Sequence, residues 1–222
     1  MGLTRPTRHL LPEPWIPTSD RAVDRSHATG SASNARDSGE NGKVPVRVGD
    51  FDLTTDELRV VARFAAQSAE EVLPIFEHAD RQDHRPRAAV EAAWIFANGA
   101  ARTKLQRITA LEAHRAAKDI ADEAAQYAAR AAGDAAAAAY LHPLAKATQV
   151  GHILRAAANA ARAAELNAGD DPNVGTALIQ KAHDRAGAIL INVLCRYPLA
   201  PVGRGRVTHL MKMLDISLRS SR

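Results

Sequence analysis

Apolar side chains recur at intervals of three and four residues along most of the chain after residue 50. This spacing places them on one face of an α-helix. The first such set is Leu58, Val61, Ala65, Ala69 and Val72. The sequence Thr54-Thr55-Asp56-Glu57 just before them forms a capping box, so a helix is predicted to begin there. Pro74 is predicted to end or kink it.

The same periodicity, together with start and stop signals formed by proline, glycine and aspartate, predicts six further helices. Their predicted ranges are 86–98, 103–132, 135–141, 143–166, 172–196 and 204–218. Among these signals, Asn98-Gly99 is predicted to end the second helix of the chain, and Asp171-Pro172 is predicted to begin the sixth. The third helix of the chain carries Leu105, Ile108 and Leu111 at helical spacing, and Gly133 is predicted to end it. The last has an apolar face made of Val207, Leu210, Met211, Leu214 and Leu218.

Seven helices with short connections and almost no strand signal predict an all-α fold, a compact helical bundle or array. We expect residues 51–218 to form a single helical domain. Residues 110–168 contain 26 alanines. Alanine has the highest helix propensity, and its small side chain lets helix axes approach closely. The helices of this region are therefore expected to form the tightly packed middle.

Residues 1–50 have no apolar periodicity and are predicted to be a flexible, largely disordered arm. The stretch from Thr18 to Gly42 is rich in Ser, Gly, Asn, Asp and Arg, so it cannot bury enough apolar surface to offset the entropy of ordering it. Leu10, Leu11 and the Trp15-Ile16 pair are exceptions that could dock on the body or on a partner.

The net charge of +4 is concentrated near the C-terminus. Residues 51–202 carry 17 basic and 18 acidic side chains, whereas residues 203–222 carry 5 and 1. Because a nucleic-acid-binding protein usually has a basic stripe on its main body, nucleic acid is a weak expectation. The alternative of nucleic-acid binding, or of contact with an acidic protein, depends on Arg204, Arg206, Lys212 and Arg219.

The chain contains neither a signal-peptide-like segment nor an apolar stretch of transmembrane length. Its single cysteine, Cys195, allows no intramolecular disulfide, so a reducing cytoplasm is the expected compartment. Membrane association is not expected.

The most polar cluster is His78-Ala79-Asp80-Arg81-Gln82-Asp83-His84. Two histidines and two aspartates could hold a metal, and a metal-dependent helical enzyme built on His78, Asp80, Asp83 and His84 is one hypothesis. The spacing does not match zinc rules, and two arginines are close by, so a solvated, helix-capping loop is the favoured interpretation. No catalytic or nucleotide-binding motif is present, so we expect no enzyme activity, metal or cofactor.

Four runs carry a family resemblance. They begin with Asp83-His84-Arg85-Pro86-Arg87-Ala88-Ala89-Val90-Glu91-Ala92-Ala93-Trp94 and continue at residues 112–117, 128–134 and 138–154. The least generic part is the His-Pro-Leu-Ala…Ala-Thr-Gln-Val-Gly-His-Ile-Leu sequence of residues 142–154. Over roughly residues 50–215 the chain resembles the alanine-rich, all-helical putative immunity proteins of bacterial polymorphic toxin systems. Some members are labelled as an exonuclease subunit, but this chain lacks the P-loop and the long heptad repeats that such a subunit would need.

The resemblance implies a small cytoplasmic binder that neutralises a toxin by occlusion, and it supplies no catalytic residues. We therefore predict a non-enzymatic protein-binding module whose partner is a protein, such as a cognate toxin. The oligomeric state stays open. The predicted partner-binding residues are Asp80, Asp83, His84, Arg87, His114, His142 and His152.

Overall fold

The computed structural model describes residues 51–221, which form eight α-helices and two short 3-10 turns, with no strand among them. The helices are α1 Thr55–Ala79, α2 Arg85–Ala97, α3 Lys104–Asp119, α4 Glu123–Ala137, α5 Val150–Asn167, α6 Pro172–Asp184, α7 Ala188–Cys195 and α8 Arg206–Ser220. The all-α prediction is confirmed, with one helix more than predicted. The arm predicted for residues 1–50 lies outside the described residues.

Several predicted helix ends are confirmed. The Glu57 amide donates to Thr54 Oγ1 at 3.2 Å, and the Thr54 amide donates to the Glu57 carboxylate at 2.8 Å, which completes the capping box of α1. The Asp171 carboxylate caps α6 by accepting the Asn173 amide at 2.9 Å. After α2 the chain turns at Gly99, whose φ of +111° favours glycine.

The prediction that Pro74 ends or kinks α1 is wrong as to its end, because the helix continues to Ala79. Proline removes one backbone hydrogen bond from a helix, but tertiary packing can hold the next turn in place. Val72, Leu73 and Phe76 are all buried around Pro74, so the last turns of α1 belong to the core.

The predicted helix 103–132 is also wrong, because it is divided at residues 120–122 into α3 and α4. Asp122 begins the second helix by accepting the Ala125 amide at 2.7 Å. Gly133 does not end a helix, and the helix predicted for 135–141 does not begin after it. Gly133 and Asp134 both lie inside α4, which continues to Ala137 and is followed by a 3-10 turn at Ala138–Tyr140. The buried Asp134 side chain makes tertiary contacts described below.

Two other predicted boundaries need correction. The helix predicted from residue 143 begins at Val150, because residues 143–149 form a loop with a 3-10 turn at Ala147–Gln149. The helix predicted for 172–196 is divided into α6 and α7, with Gly187 as the N-cap of the second.

Helix α4 is the centre of the fold and packs against α1, α2, α3 and α5. Most of its buried side chains are alanine, and its buried positions include Gly133. Because these side chains are small, the surrounding helices approach α4 closely, as expected for the alanine-rich middle. Its neighbours α3 and α5 position the site described next.

Helix α3 presents a small-residue face to the core and leaves its large aliphatic residues outside. Ala110, Ala113 and Ala117 are buried, and the buried Gln106 side chain donates to the Ala92 carbonyl at 3.2 Å. The exposed fractions of Leu105, Ile108 and Leu111 are 41%, 56% and 53%. Apolar spacing alone would have favoured these three residues for the core. Instead the narrow space beside α4 selects the alanine face.

Within residues 51–221, no helix has both the length and the apolar character needed to cross a membrane.

Candidate functional site

Three of the predicted partner-binding histidines meet at one concave surface. A cavity of about 420 Å³ lies among α3, the end of α4 and the start of α5, and we call it the histidine cavity. Its side chains include Arg107, Leu111, His114, Tyr140, His142 and His152. The three histidines come from separate parts of the chain, so only the fold brings them together.

Glycine 133 sets the position of His114. A Cβ atom at residue 133 would lie 2.8 Å from the Nε2 atom of His114, too close for any other residue without moving the ring. The imidazole of His114 therefore packs directly on the backbone of α4. This close approach explains why a glycine lies inside a helix where the sequence predicted a helix end.

Two hydrogen bonds from neighbouring side chains hold the backbone of His142. Its own side chain is exposed and takes no part in these bonds. Its amide donates to the Gln149 side chain at 3.0 Å, and its carbonyl accepts from the Tyr197 hydroxyl at 2.9 Å. Burial raises the pKa of Tyr197, so this hydroxyl stays protonated and remains a donor. The 142–149 loop is thereby tied to the segment after α7.

Tyr140 forms one wall of the histidine cavity and connects the segment after α4 to the start of α3. Its hydroxyl donates to the Thr103 carbonyl at 2.7 Å. The Arg102 guanidinium lies 5.3 Å from the centroid of the Tyr140 ring and also donates to the Ala139 carbonyl at 3.0 Å. This cation–π contact keeps a positive charge at the edge of the cavity.

A second cavity of about 500 Å³ adjoins the first, and His114 belongs to both. We call it the basic cavity, because Lys118, Arg130 and Arg155 line it against the single carboxylate of Asp134. The Arg130 guanidinium lies 4.7 Å from the centroid of the Tyr127 ring. Three cations facing one anion leave this cavity with an excess of positive charge.

Asp134 is buried at the base of the basic cavity and is fully engaged. Its carboxylate accepts from Arg155 Nε at 2.9 Å and from Asn159 Nδ2 at 2.7 Å, and His114 Nε2 lies 3.7 Å away. A buried carboxylate needs such partners, because an unpaired buried charge is strongly destabilising. Asp134 is therefore a positioning residue that orients Arg155 and His114.

Burial lowers the pKa of His114 and of His152 below the usual histidine range, while the Asp134 carboxylate opposes the shift in both. Both rings are therefore neutral at pH 7. Burial also disfavours the charge of Arg155, but the attraction of Asp134 outweighs it and raises the pKa of that arginine. The positive charge of this surface thus comes from arginine and lysine rather than from these two histidines.

The other predicted partner-binding residues lie apart from the histidine cavity, at the α1–α2 connection. Asp80, Asp83 and His84 line a shallow depression there. Asp83 pairs with Arg85 at 2.6 Å, which lowers the pKa of this carboxyl, and Arg87 pairs with Glu77 at 2.5 Å. Arg85 also pairs with Asp119, the last residue of α3, so this loop lies next to the C-terminal end of that helix.

The metal hypothesis gains no support from the described residues, which contain no group of three or more His, Cys, Asp or Glu placed to hold an ion. His78 lies in the last turn of α1 and not in the loop. Asp80 Oδ1 instead accepts the amides of Gln82 and Asp83, at 3.0 and 3.2 Å. These contacts are those of a helix-connecting turn.

Two of the four arginines and lysines in the nucleic-acid alternative are tied into the fold. Arg206 Nη2 lies 2.5 Å from the Oε1 atom of Glu165, whose side chain is completely buried. Arg219 pairs with the buried Asp215 at 2.7 Å and donates to the Tyr197 carbonyl at 3.1 Å. Arg204 and Lys212 are exposed.

A further cluster, which the sequence did not indicate, lies where α6 meets the end of α8. His183 Nε2 is 2.8 Å from Ser221 Oγ, and His183 Nδ1 is 3.2 Å from Asp184 Oδ1, beside a cavity of about 690 Å³. The Ser221 Oγ atom also lies 3.1 Å from the Ser217 carbonyl oxygen, so its hydroxyl has two acceptors within reach, this carbonyl and His183 Nε2.

The sequence analysis did not identify Arg107, Leu111, Tyr140 and Arg155 as residues that line the histidine cavity or the basic cavity. One signal was available, because Arg107 and Leu111 lie two turns and one turn before His114 and share its side of the helix. Tyr140 and Arg155 had no such signal, since their proximity to His114 depends on how α4 and α5 pack.

A family model described as Imm-5 like putative immunity protein matches residues 52–185. No curated protein and no solved structure matches the chain. The matched range includes α1 to α6 and with them every lining residue of the histidine cavity and, except for Val207, of the basic cavity. Arg204, Arg206, Lys212 and Arg219 lie beyond it.

Proposed function

The chain belongs to the Imm-5 like putative immunity protein family, and from this membership we propose that it neutralises a toxin by binding it and occluding it, without catalysis. The binding surface includes the histidine cavity. The observation that carries this choice is the meeting of His114, His142 and His152 at one concave surface inside the family-matched range.

The chemistry of the cavity suits binding. His114 and His152 are neutral at pH 7. Beside them, Tyr140 supplies an amphipathic ring and Arg107 a positive charge. Tyrosine and arginine are enriched at protein interfaces because they combine apolar area with hydrogen bonding. Concave surfaces of this kind accommodate protruding side chains of a partner.

The nucleic-acid alternative has weaker support. Arg206 and Arg219 are paired with buried carboxylates, so using them on a phosphate backbone would leave those carboxylates unpaired. Only Arg204 and Lys212 remain exposed of the four residues.

Growth rescue tests the proposal directly. Toxin domains encoded by genes next to this one would be expressed in a bacterial host with and without the full chain. We expect the chain to restore growth against one of them. Growth arrest by every such domain, despite expression of folded chain, would contradict the proposal.

A matched pair of substitutions then tests the location. His142→Ala changes an exposed histidine of the cavity, and His209→Ala changes an exposed histidine on α8. We expect rescue to weaken with His142→Ala and to persist with His209→Ala. Equal rescue by both variants would move the binding surface away from the cavity while leaving the toxin-neutralising role intact.

A further inference from the structure

Helix α3 carries an exposed row of large aliphatic side chains, Leu105, Ile108 and Leu111, which we call the apolar stripe. Each is between 41% and 56% exposed, and they follow one another at successive helical turns. Single exposed aliphatic residues are common on protein surfaces, but a row of them is a mark of an interaction site. The stripe is therefore a candidate interaction surface.

The stripe is continuous with the histidine cavity. Leu111 belongs to the stripe and lines the cavity, and Arg107 lines the cavity one turn earlier on the same helix. An interface centred on the stripe would therefore also cover His114, one turn beyond Leu111. A desolvated apolar centre beside a pocket is the usual arrangement of energetically dominant interface residues.

Three basic residues flank the stripe, and we call Lys104, Arg107 and Lys118 the basic rim. None of them has a hydrogen-bond or ion-pair partner within residues 51–221. The two acidic residues of α3 and the buried Asp134 beside it are already engaged by arginines. The pairs are Glu112 with Arg115, Asp119 with Arg85, and Asp134 with Arg155. The free charge of this surface is therefore positive, although residues 51–202 as a whole carry 17 basic and 18 acidic side chains.

We propose that the apolar stripe and the basic rim together dock an acidic surface of the toxin. This proposal rests on the proposed function and specifies its partner chemistry. The stripe forms the desolvated centre, and Lys104, Arg107 and Lys118 pair with carboxylates around it. The partner surface carries apolar side chains surrounded by Asp and Glu.

Charge complementarity favours such a partner over the other occupants. A second copy of this chain would bring one basic rim against another, because the carboxylates of this face are already paired. The arm of residues 1–50 has 7 basic and 6 acidic side chains, so it offers no acidic excess. A basic toxin cleft built to hold nucleic acid would be repelled.

The test uses the toxin domain that growth rescue identifies, with the full chain immobilised and association and dissociation rates measured at low and at moderate salt. Ile108→Ser alters the stripe, and Ile216→Ser is its control on α8, where Ile216 is 50% exposed. Arg107→Glu alters the rim, and Lys212→Glu is its control. Urea unfolding of each variant verifies that it is folded.

We expect Ile108→Ser to weaken affinity at least about tenfold, mainly through faster dissociation, and Ile216→Ser to change it less than about twofold. Arg107→Glu should slow association several-fold and reduce its salt dependence, because electrostatic steering is lost. Lys212→Glu should leave the association rate nearly unchanged.

Each other outcome overturns the proposal in a distinct way. Wild-type affinity for Ile108→Ser and Arg107→Glu, with rescue by the wild-type chain intact, would place the interface elsewhere and leave the proposed function standing. Tighter binding by Arg107→Glu would mean a basic partner surface. A dimer of the chain alone that Ile108→Ser dissociates would identify a second copy as the occupant. If the wild-type chain rescues no growth, the docking proposal falls together with the proposed function.

Discussion

Helices α3 and α8 carry similar apolar spacing but use it in opposite ways. Helix α8 buries Leu210, Leu214 and Leu218 completely against its neighbours. Helix α3 exposes its apolar stripe and packs through alanine. The difference lies in the neighbours, because α3 lies against the small side chains of α4, whereas α8 packs on α5 and α6.

The charges of the two regions differ in the same sense. Around α8, Arg206 and Arg219 neutralise buried carboxylates and so belong to the folded core. On α3, the basic rim has no such partner among the described residues. A charge inside an ion pair stabilises the fold, whereas a free charge beside exposed apolar surface is available to a partner. Arg206 and Arg219 thus hold the structure, whereas the basic rim is left for the binding that we propose.

The largest expected effect comes from the same substitution on the two helices. Leu210→Ala removes a fully buried side chain and should lower the free energy of unfolding by about 2–5 kcal/mol. Leu111→Ala removes a half-exposed one and should change it by less than about 0.5 kcal/mol. Urea denaturation followed by circular dichroism measures both. Similar losses in the two variants would mean that the stripe is part of the core.

The next comparison concerns the arginines. Arg206→Gln leaves the buried Glu165 with Arg162 as its remaining cationic partner, so we expect a loss of about 2 kcal/mol. Arg107→Gln disturbs no ion pair of the described residues and should stay within about 0.5 kcal/mol of the wild type. Thermal and urea unfolding would report both values. An Arg206→Gln variant as stable as the wild type would mean that solvent can replace Arg206 as a partner of Glu165.

Two buried glycines offer a third contrast. A Cβ at Gly175 would lie 2.0 Å from Glu165 Oε1, which two arginines hold in place, so Gly175→Ala should cost about 1–3 kcal/mol. Gly133→Ala meets the His114 ring at 2.8 Å, but this ring borders two cavities into which it can move. We expect the smaller loss there, with the helix propensity of alanine offsetting part of it. An equal or larger loss in Gly133→Ala, measured by urea denaturation, would show that the His114 ring is as rigidly held as Glu165.

The smallest expected effect is a pH dependence of the free energy of unfolding, which we assign to His114 and His152 at the histidine cavity. Burial holds the pKa of His114 and His152 below the unfolded value of about 6.5, so the unfolded chain binds protons first as the pH falls. Stability should therefore decrease as the pH falls through this value. The Glu165 pair acts differently, because its hydrogen bonds raise the pKa of Arg206 and keep that side chain charged.

Replacing one histidine tests this assignment. His152→Gln should flatten the decrease in the free energy of unfolding between pH 7 and pH 5, measured by urea titration at several pH values. Lys212→Gln, an exposed change on α8, serves as the control and should keep the wild-type slope. An unchanged slope in His152→Gln would mean that another group carries the pH dependence.

Local signals determined a good part of this fold. The capping box at Thr54, the Asp171-Pro172 start and the Asn98-Gly99 stop each act within one helical turn, so the sequence alone was enough to predict them. The apolar face of α8 was likewise predicted correctly. In the site, the sequence analysis assigned His114, His142 and His152 to one predicted binding surface together with the α1–α2 loop, but no local signal indicated which of these residues lie close together.

Only the tertiary structure decided the rest, because it depends on contacts between distant segments. Whether Pro74 ends a helix was settled by the packing of Phe76, and whether Gly133 ends one was settled by the ring of His114. Periodicity reveals that a helix has an apolar face, but the size of the side chains opposite decides which face is buried. Because α4 is built of alanine, α3 turns its own alanines inward and leaves Leu105, Ile108 and Leu111 exposed.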